Sequence, residues 1–307
     1  MNEMEESSMT ALVSAFSRAY HSENNTVKIF DDSVAKRLLS DEAYDRIADS
    51  MADGLPFFNP GFTGSRAEGL RWIVDRQLSP APLGRAAFAE DALHSAVQAG
   101  AGQYLILAAG YDTFAYRQPD WARGLQIFEI DHPQTAGGKR ARLLRAGLSV
   151  PENVHFVAAD FAQDGWEASL SGMAAFDAAQ QSFCSLLGLT YYVSARTFQA
   201  LLAALATRLP RGSRLAFDYP DAQHLSDCAG AHARKQAALA ATAGEAMQPG
   251  YTRGDMERLL AAQGFALCSH LTPEEMTGRY FSAYNAANPA HPMAAFDNVN
   301  YCLAERV

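Results

Sequence analysis

The chain has 307 residues, of which 49% are hydrophobic and 19% charged, so it can bury a sizeable core as one large domain or as one domain with a cap. Its 25 basic and 34 acidic residues give a formal net charge of −9, which argues against a nucleic-acid partner, because binding phosphates requires a basic surface. The acidic N-terminus lacks a signal-peptide layout, and no apolar run approaches a membrane span. We therefore expect a cytoplasmic protein without membrane contact.

The first hundred residues predict helices, because apolar side chains recur there at helical spacing. These runs cover residues 8–20, 33–52, 66–77 and 86–99. Proline and glycine interrupt them at 55–64 and again at Pro80 and Pro82. The pattern predicts an N-terminal helical cap over residues 1–100, which either serves as scaffold or covers a cofactor pocket.

From residue 103 onward, strand patterns alternate with helix patterns, which is typical of a doubly wound parallel sheet. The predicted strands cover residues 104–108, 125–130, 154–157, 176–183, 214–219, 265–271 and 299–305. We predict an α/β fold with a mostly parallel seven-stranded sheet over residues 101–307. An alanine-rich insertion at 221–250 follows the fifth strand, where it would form a lid over the ligand crevice. Gln180 and Gln181 in the predicted fourth strand are expected to face that crevice.

Three sites at the ends of the first three strands predict a nucleoside-binding crevice. Ala108, Ala109 and Gly110 form a turn of small residues, which lets a ligand approach the backbone. Asp131 ends the second strand 21 residues after Gly110, a position that suits the hydroxyls of a ribose. Asp160 follows the third strand, where a carboxylate can accept from an adenine amine or can instead cap a helix.

The glycine pattern bears on which nucleoside cofactor binds. A dinucleotide site requires three glycines, and only Gly110 is present, which disfavours an NAD(P)-dependent oxidoreductase. S-adenosyl-L-methionine needs no pyrophosphate site, and a final strand added after a sixth is typical of class I methyltransferase sheets. The oxidoreductase and a non-catalytic cofactor-binding protein remain the alternatives.

The four cysteines Cys184, Cys228, Cys268 and Cys302 stand far apart, so we expect isolated thiols and no metal.

Four segments in order resemble the leucine carboxyl methyltransferase-like family of class I methyltransferases: LILAAGYDTFAYR, FEIDHP, AADF and FCSLLGLTYYVS. The resemblance extends to SMTALVSAFSRAYHS and IFDD near the N-terminus and so covers most of the chain. The family includes protein-phosphatase carboxyl methyltransferases and bacterial small-molecule O-methyltransferases. The resemblance implies S-adenosyl-L-methionine as the methyl donor and S-adenosyl-L-homocysteine as the product.

The resemblance also implies roles for individual residues in cofactor binding. Arg85 in LGRAAF would hold the methionine carboxylate, for which its two-pronged guanidinium is suited. Asp131 would bind the ribose, and Asp160 with Phe161 would bind the adenine. Ala108 stands where the family has the first glycine of its GAG turn, a change that backbone contact should tolerate.

Two departures from the family bear on the acceptor. Met9 stands where phosphatase-directed members have a lysine, and Leu187 stands where they have a glutamate near the cofactor. Both favour O-methyl transfer to a small molecule, a carboxylate or a phenolic hydroxyl, over transfer to a phosphatase tail. A carboxylate is already ionised at neutral pH, whereas a phenol or alcohol benefits from a base. The candidate catalytic residues are Tyr191, Tyr192 and His224, with packing aromatics and a surface histidine as the alternative interpretation.

Overall fold

The computed structural model describes residues 9–163, 165–226, 229–242 and 246–307. Cys228 and residues 227 and 243–245 of the predicted lid lie outside the described residues. The strands are β1 (Gln103–Leu107), β2 (Gln126–Asp131), β3 (Val154–Ala158), β4 (Ser182–Leu186), β5 (Arg214–Pro220), β6 (Phe265–Leu271) and β7 (Val299–Arg306). The helices are α1 (Met9–Asn24), α2 (Ala35–Leu38), α3 (Asp41–Asp53), α4 (Leu55–Phe58), α5 (Arg66–Ile73), α6 (Pro80–Gln98), α7 (Pro133–Arg145), α8 (Glu167–Ser171), α9 (Ala195–Arg208), α10 (Ala231–Thr242), α11 (Arg253–Ala262), α12 (Pro273–Met276) and α13 (Ser282–Ala287).

The strands form one seven-stranded sheet of order β3-β2-β1-β4-β5-β7-β6. Neighbouring strands among the first five pair in parallel, and β7 lies antiparallel between β5 and β6. The strand order reverses between β1 and β4. A ligand crevice is expected outside the carboxyl ends of the strands at such a switch point. The predicted doubly wound, mostly parallel sheet of seven strands is confirmed.

Alternate residues of β1 explain how the sheet is buried on both faces. Tyr104 and Ile106 pack in the core on one face, which α6 covers with Leu83 and Phe88. Leu105 and Leu107 pack in the core on the other face, which α9 and α11 cover. A strand covered on both faces reads as a continuous apolar run, and this is the pattern that predicted β1.

The N-terminal helices have a core of their own that includes the turn after β1. Leu12 and Phe16 of α1 pack with Ile47 of α3 and with Tyr111, which directly follows Gly110. The cap therefore packs against the end of the turn that follows β1 rather than lying apart from it. The exact domain division at residue 100 stays a prediction.

Two predicted helices in the cap have different bounds. The predicted helix 33–52 is two helices, because Ser40 leaves the helical path and its hydroxyl accepts from the Ala43 N–H at the start of α3. The predicted helix 86–99 begins earlier, at Pro80, since a proline is tolerated in the first helical turn. Arg85 consequently lies on α6 instead of in a loop.

The fourth strand exists, but its predicted bounds, residues 176–183, are wrong. The strand is β4 (Ser182–Leu186), and the residues before it form a turn. The amide of Gln180 donates to the carbonyl of Gly100, and that of Gln181 donates to the carbonyl of Arg211. These carbonyls precede β1 and β5, so both glutamines lie at the amino end of the sheet, away from the crevice.

The remaining connections follow the predicted order, with additions. The described part of the lid contains α10, and α12 and α13 lie between β6 and β7, where no helix was expected. The described cysteines Cys184, Cys268 and Cys302 are free thiols. Within the described ranges, none of the helices combines the length and the apolar character needed to cross a membrane.

Candidate functional site

A cavity of about 410 Å³ lies at the carboxyl ends of the strands, at the switch point between β1 and β4. The ends of β1, β2 and β4 form one wall, which we call the sheet wall. Helix α1, the segment that follows it and α6 form the other, the cap wall, and Ala246 also lines the cavity. The volume is within the range of small-ligand sites, about 300–1,000 Å³.

The turn 108–110 forms the centre of the sheet wall. Ala108 has φ +53° and Gly110 has φ +49°, both in the left-handed region. A Cβ at Gly110 would meet the Ala11 methyl at an ordinary 3.6 Å, so the conformation, rather than space, requires glycine there. Ala108 holds the same conformation with a side chain, which stores strain at the cavity.

Asp131 faces the cavity from the end of β2. One carboxylate oxygen accepts from the Gly110 N–H at 2.6 Å, and the other accepts from the His132 N–H at 2.7 Å. Burial raises the pKa of Asp131, and the hydrogen bonds from these two N–H groups offset the rise only in part. Each oxygen can accept a further hydrogen bond, so the side chain is able to take hydroxyl donors from a ligand.

Arg85 enters the cavity from α6. Its guanidinium donates to the Ser14 hydroxyl at 3.2 Å, and Nη1 lies 3.8 Å from a carboxylate oxygen of Asp218. The side chain is 19% exposed, so it is neither free in solvent nor fully buried. Among the described residues these contacts leave several of its five N–H donors for a ligand carboxylate.

A buried ion network forms the deeper part of the cap wall. Arg18 donates to Asp32 at 2.8 Å and to the carbonyl of Tyr111 at 2.6 Å. Asp32 also accepts from the Thr113 hydroxyl at 2.7 Å, and Arg117 lies 3.7 Å away. Burial alone would raise the pKa of Asp32, but Arg18 and Arg117 together with these hydrogen bonds hold it below its usual value. The network fixes the cap against the turn after β1.

The predicted adenine-binding pair lies beyond this cavity. Asp160 follows β3, and its carboxylate accepts from the Ala162 N–H at 2.9 Å. Phe161 packs edge-on against Trp166, with ring centroids 5.0 Å apart. Neither residue lines the cavity. Since β3 is the neighbour of β2, they stand one strand beyond Asp131, and their role with adenine stays a prediction.

The three candidate catalytic residues lie in different places. Tyr191 is buried and donates to Asp218 at 3.0 Å. Burial, together with the negative charge of Asp218, raises the pKa of Tyr191 well above its ordinary value, so it stays protonated and is a poor base. His224 is buried against the carbonyl of Asp221 and does not line the cavity. Only Tyr192 lines it, beside Leu187.

The cavity is lined by four sites that the sequence singled out, namely Arg85, the turn 108–110, Asp131 and Leu187, and their roles in cofactor binding stay predictions. The ion network was not predicted. Arg18 and Asp32 lay inside the segments that carried the family resemblance, yet neither was assigned a role. Asp218 was missed as well. A lone acid in the apolar strand RLAFDYP was a usable signal, because a buried charge requires partners.

Solved structures of other proteins share this fold. A crystal structure of a DUF574 family protein from Streptomyces avermitilis has a TM-score of 0.62 at 15% identity, covering 100% of both chains. One from Thermobifida fusca, named provisionally as a methyltransferase, has a TM-score of 0.55 at 14% identity, covering 98% of this chain and 95% of that one. At these identities the likeness shows the fold alone, and the fold is that of class I methyltransferases.

Sequence comparison narrows the class to a family. The family model described as leucine carboxyl methyltransferase matches residues 11–206. YktD of Bacillus subtilis strain 168, named provisionally as an S-adenosyl-L-methionine-dependent methyltransferase, is 36% identical over 308 residues, 97% of this chain and 98% of that protein. A similarly named protein of Parafrankia is 32% identical over 71% of this chain and 64% of its own length. The chain therefore belongs to the leucine carboxyl methyltransferase family of S-adenosyl-L-methionine-dependent methyltransferases.

Proposed function

We propose that the protein transfers a methyl group from S-adenosyl-L-methionine to an oxygen atom of a small molecule, a carboxylate or a phenolic hydroxyl. The observation that carries the proposal is the meeting of Arg85, the turn 108–110 and Asp131 on the walls of one cavity. An arginine, a backbone turn and a carboxylate suit a ligand with a carboxylate at one end and ribose hydroxyls farther along. The family assignment gives no support to the oxidoreductase alternative.

Two features support an oxygen of a small molecule as the acceptor. The family description names a carboxyl group as the methylated group. The cavity of about 410 Å³ is near the lower end of the range for ligand sites, about 300–1,000 Å³, and the donor must share it. We also propose that the protein acts in the cytoplasm, without a nucleic-acid or membrane partner.

In this proposal the protein mainly binds, orients and excludes water. When bound, S-adenosyl-L-methionine supplies a methyl group that is already an activated electrophile. Arg85 would hold its carboxylate, Asp131 would accept from its ribose hydroxyls, and Asp160 with Phe161 would contact the adenine. The cap wall would shield the acceptor from water, and this favours an aligned attack on the methyl group. A carboxylate acceptor arrives ionised and needs no base, and for a phenol Tyr192 is the remaining candidate from the sequence.

The first test is ligand-induced stabilisation. S-adenosyl-L-homocysteine is expected to raise the melting temperature, because a ligand that binds only the folded state stabilises it, whereas NAD(H) is expected to have no effect. Asp131→Ala should lose the shift, and the control Asp120→Ala, at an exposed aspartate outside the cavity, should keep it. A shift with NAD(H) but not with S-adenosyl-L-homocysteine would overturn the proposal.

The second test addresses the acceptor. Purified protein with methyl-labelled S-adenosyl-L-methionine is offered a panel of small carboxylic acids, phenols, amines and thiols. Label is expected in an ester or an aryl ether, which base hydrolysis distinguishes. Label found only in amines or thiols would show that the acceptor atom is not oxygen.

A further inference from the structure

Asp218 is a buried charge that the proposed reaction does not use directly. It lies in β5 with 0% exposure and does not line the cavity. Its Oδ1 accepts from the Gly188 N–H at 2.7 Å, and its Oδ2 accepts from the Tyr191 hydroxyl at 3.0 Å. Its carbonyl accepts from the Thr190 hydroxyl at 2.6 Å. A buried carboxylate is costly unless its charge is met, and the cation that faces it is Arg85, 3.8 Å away.

Gly188 holds Arg85 from another side. Gly188 has φ +73°, and a Cβ built on it would lie 2.3 Å from Nη1 and 2.8 Å from Cζ of Arg85. The guanidinium therefore lies against the backbone of the loop between β4 and α9, in space that only glycine leaves open. The Arg85 guanidinium also donates to the Ser14 hydroxyl on α1, so Asp218, Gly188 and Ser14 surround it on three sides.

We infer that Asp218 is a positioning residue for the methyl donor: it fixes the Arg85 guanidinium in the orientation that receives the donor's amino-acid carboxylate. The inference rests on the proposed function. An arginine side chain has large rotational freedom, and a group held in place before binding does not lose that freedom when the ligand arrives. Asp218 also holds Gly188 and Tyr191, so it positions the loop and the arginine as one unit.

A purely structural role for Asp218 makes a different prediction. If Asp218 only holds the loop, its loss weakens every ligand of the cavity to a similar extent. If it positions Arg85, its loss weakens only ligands with an amino-acid carboxylate. S-adenosyl-L-homocysteine carries that group, and 5′-methylthioadenosine has the same adenosine and thioether without it. The two ligands therefore separate the two roles.

The test measures dissociation constants of both ligands by calorimetry for the wild-type protein and Asp218→Asn. Asparagine keeps the shape and can still accept from the Gly188 N–H, but it removes the charge that faces Arg85. S-adenosyl-L-homocysteine is expected to bind about tenfold or more weakly, in line with a hydrogen bond to a charged group. Binding of 5′-methylthioadenosine is expected to stay within about twofold.

Two further variants keep the test decisive. Gly188→Ala places a methyl group where the Arg85 guanidinium lies, so the same selective loss is expected even if Asp218→Asn does not fold. Thr190→Val is the matched control, because it removes the loop's hydrogen bond to the Asp218 carbonyl and leaves the charge in place. It should leave the ratio of the two dissociation constants unchanged.

Each result has a distinct meaning. Equal weakening of both ligands in Asp218→Asn would make the residue purely structural, and no weakening of either would show that Arg85 is oriented without it. Both results overturn the inference. If the wild-type protein binds 5′-methylthioadenosine but not S-adenosyl-L-homocysteine, or binds neither, the proposed function fails instead.

Discussion

The two walls of the cavity each contain an aspartate, Asp32 fully buried and Asp131 only partly, and the two aspartates have opposite environments. Asp32 on the cap wall accepts from backbone N–H groups and is paired with Arg18, with Arg117 nearby. Asp131 on the sheet wall accepts from two backbone N–H groups, and no ion pair to it occurs among the described residues. The pKa is held down at Asp32 and raised by burial at Asp131.

The two environments indicate which aspartate stabilises the fold and which aspartate is available to a ligand. The charge of Asp32 is paired within the protein, because arginines and a hydroxyl surround it. The charge of Asp131 is only partly compensated by its hydrogen bonds, so the folded state loses little stability when that side chain becomes neutral. A ligand hydroxyl can donate a further hydrogen bond to it. The cap wall should therefore depend on its aspartate for stability, and the sheet wall should depend on its aspartate for binding.

The largest expected effect is the loss of stability in Asp32→Asn. Removing this charge leaves Arg18 buried without its carboxylate, and breaking a buried pair typically costs about 3–5 kcal/mol of unfolding free energy. Urea unfolding at pH 7 measures it. The matched control Asp53→Asn removes an exposed partner of Arg66 and should cost at most about 1 kcal/mol. Equal costs for the two variants would contradict the assignment of Asp32 as a structural charge.

The pH dependence of that cost provides the next prediction. The folded pKa of Asp32 lies below its unfolded value of 3.8, so its contribution to stability is present above that value and is lost as pH falls through the folded pKa. The difference in unfolding free energy between wild type and Asp32→Asn should be constant from about pH 7 to about pH 5 and shrink below about pH 4. A difference that stays constant down to pH 3 would show that the pKa is not lowered.

Asp131→Asn should show the reverse pattern, a binding defect with little change in stability. Because burial raises the pKa of Asp131, losing the charge costs the folded protein little, but asparagine can accept from only one of the two backbone N–H groups, so we expect a loss of about 1 kcal/mol in unfolding free energy. The dissociation constant of S-adenosyl-L-homocysteine should rise about tenfold, since a hydrogen bond to a charged group is lost. Asp32→Asn is the comparison, and a loss of about 3 kcal/mol of stability in both variants would remove the distinction between the walls.

The same contrast explains which parts of the molecule were predictable from sequence. The sheet wall is local: an apolar strand, a turn of small residues and an acid after the next strand. The cap wall is assembled from distant residues, since Arg18 meets the carbonyl of Tyr111 across 93 positions and Thr113 meets Asp32 across 81. No periodicity encodes such pairs. The wrong bounds of the fourth strand had a related cause, because the Gln180 amide donates to a carbonyl 80 positions away.

The smallest expected effect, and the most local, concerns Ala108. A left-handed conformation costs an alanine roughly 1–2 kcal/mol, which glycine avoids, while glycine's extra freedom in the unfolded chain takes back roughly 0.5–1 kcal/mol. Ala108→Gly should therefore raise the unfolding free energy by about 0.5–1 kcal/mol. Ala109→Gly, one position along and outside the left-handed region, should lower it by at least a similar amount, because glycine's entropic cost is joined there by the loss of a buried methyl group. Comparing the signs of the change in unfolding free energy in these two neighbouring variants tests the strain. Two equal losses would show that Ala108 is unstrained and that the turn in the sheet wall holds no backbone strain.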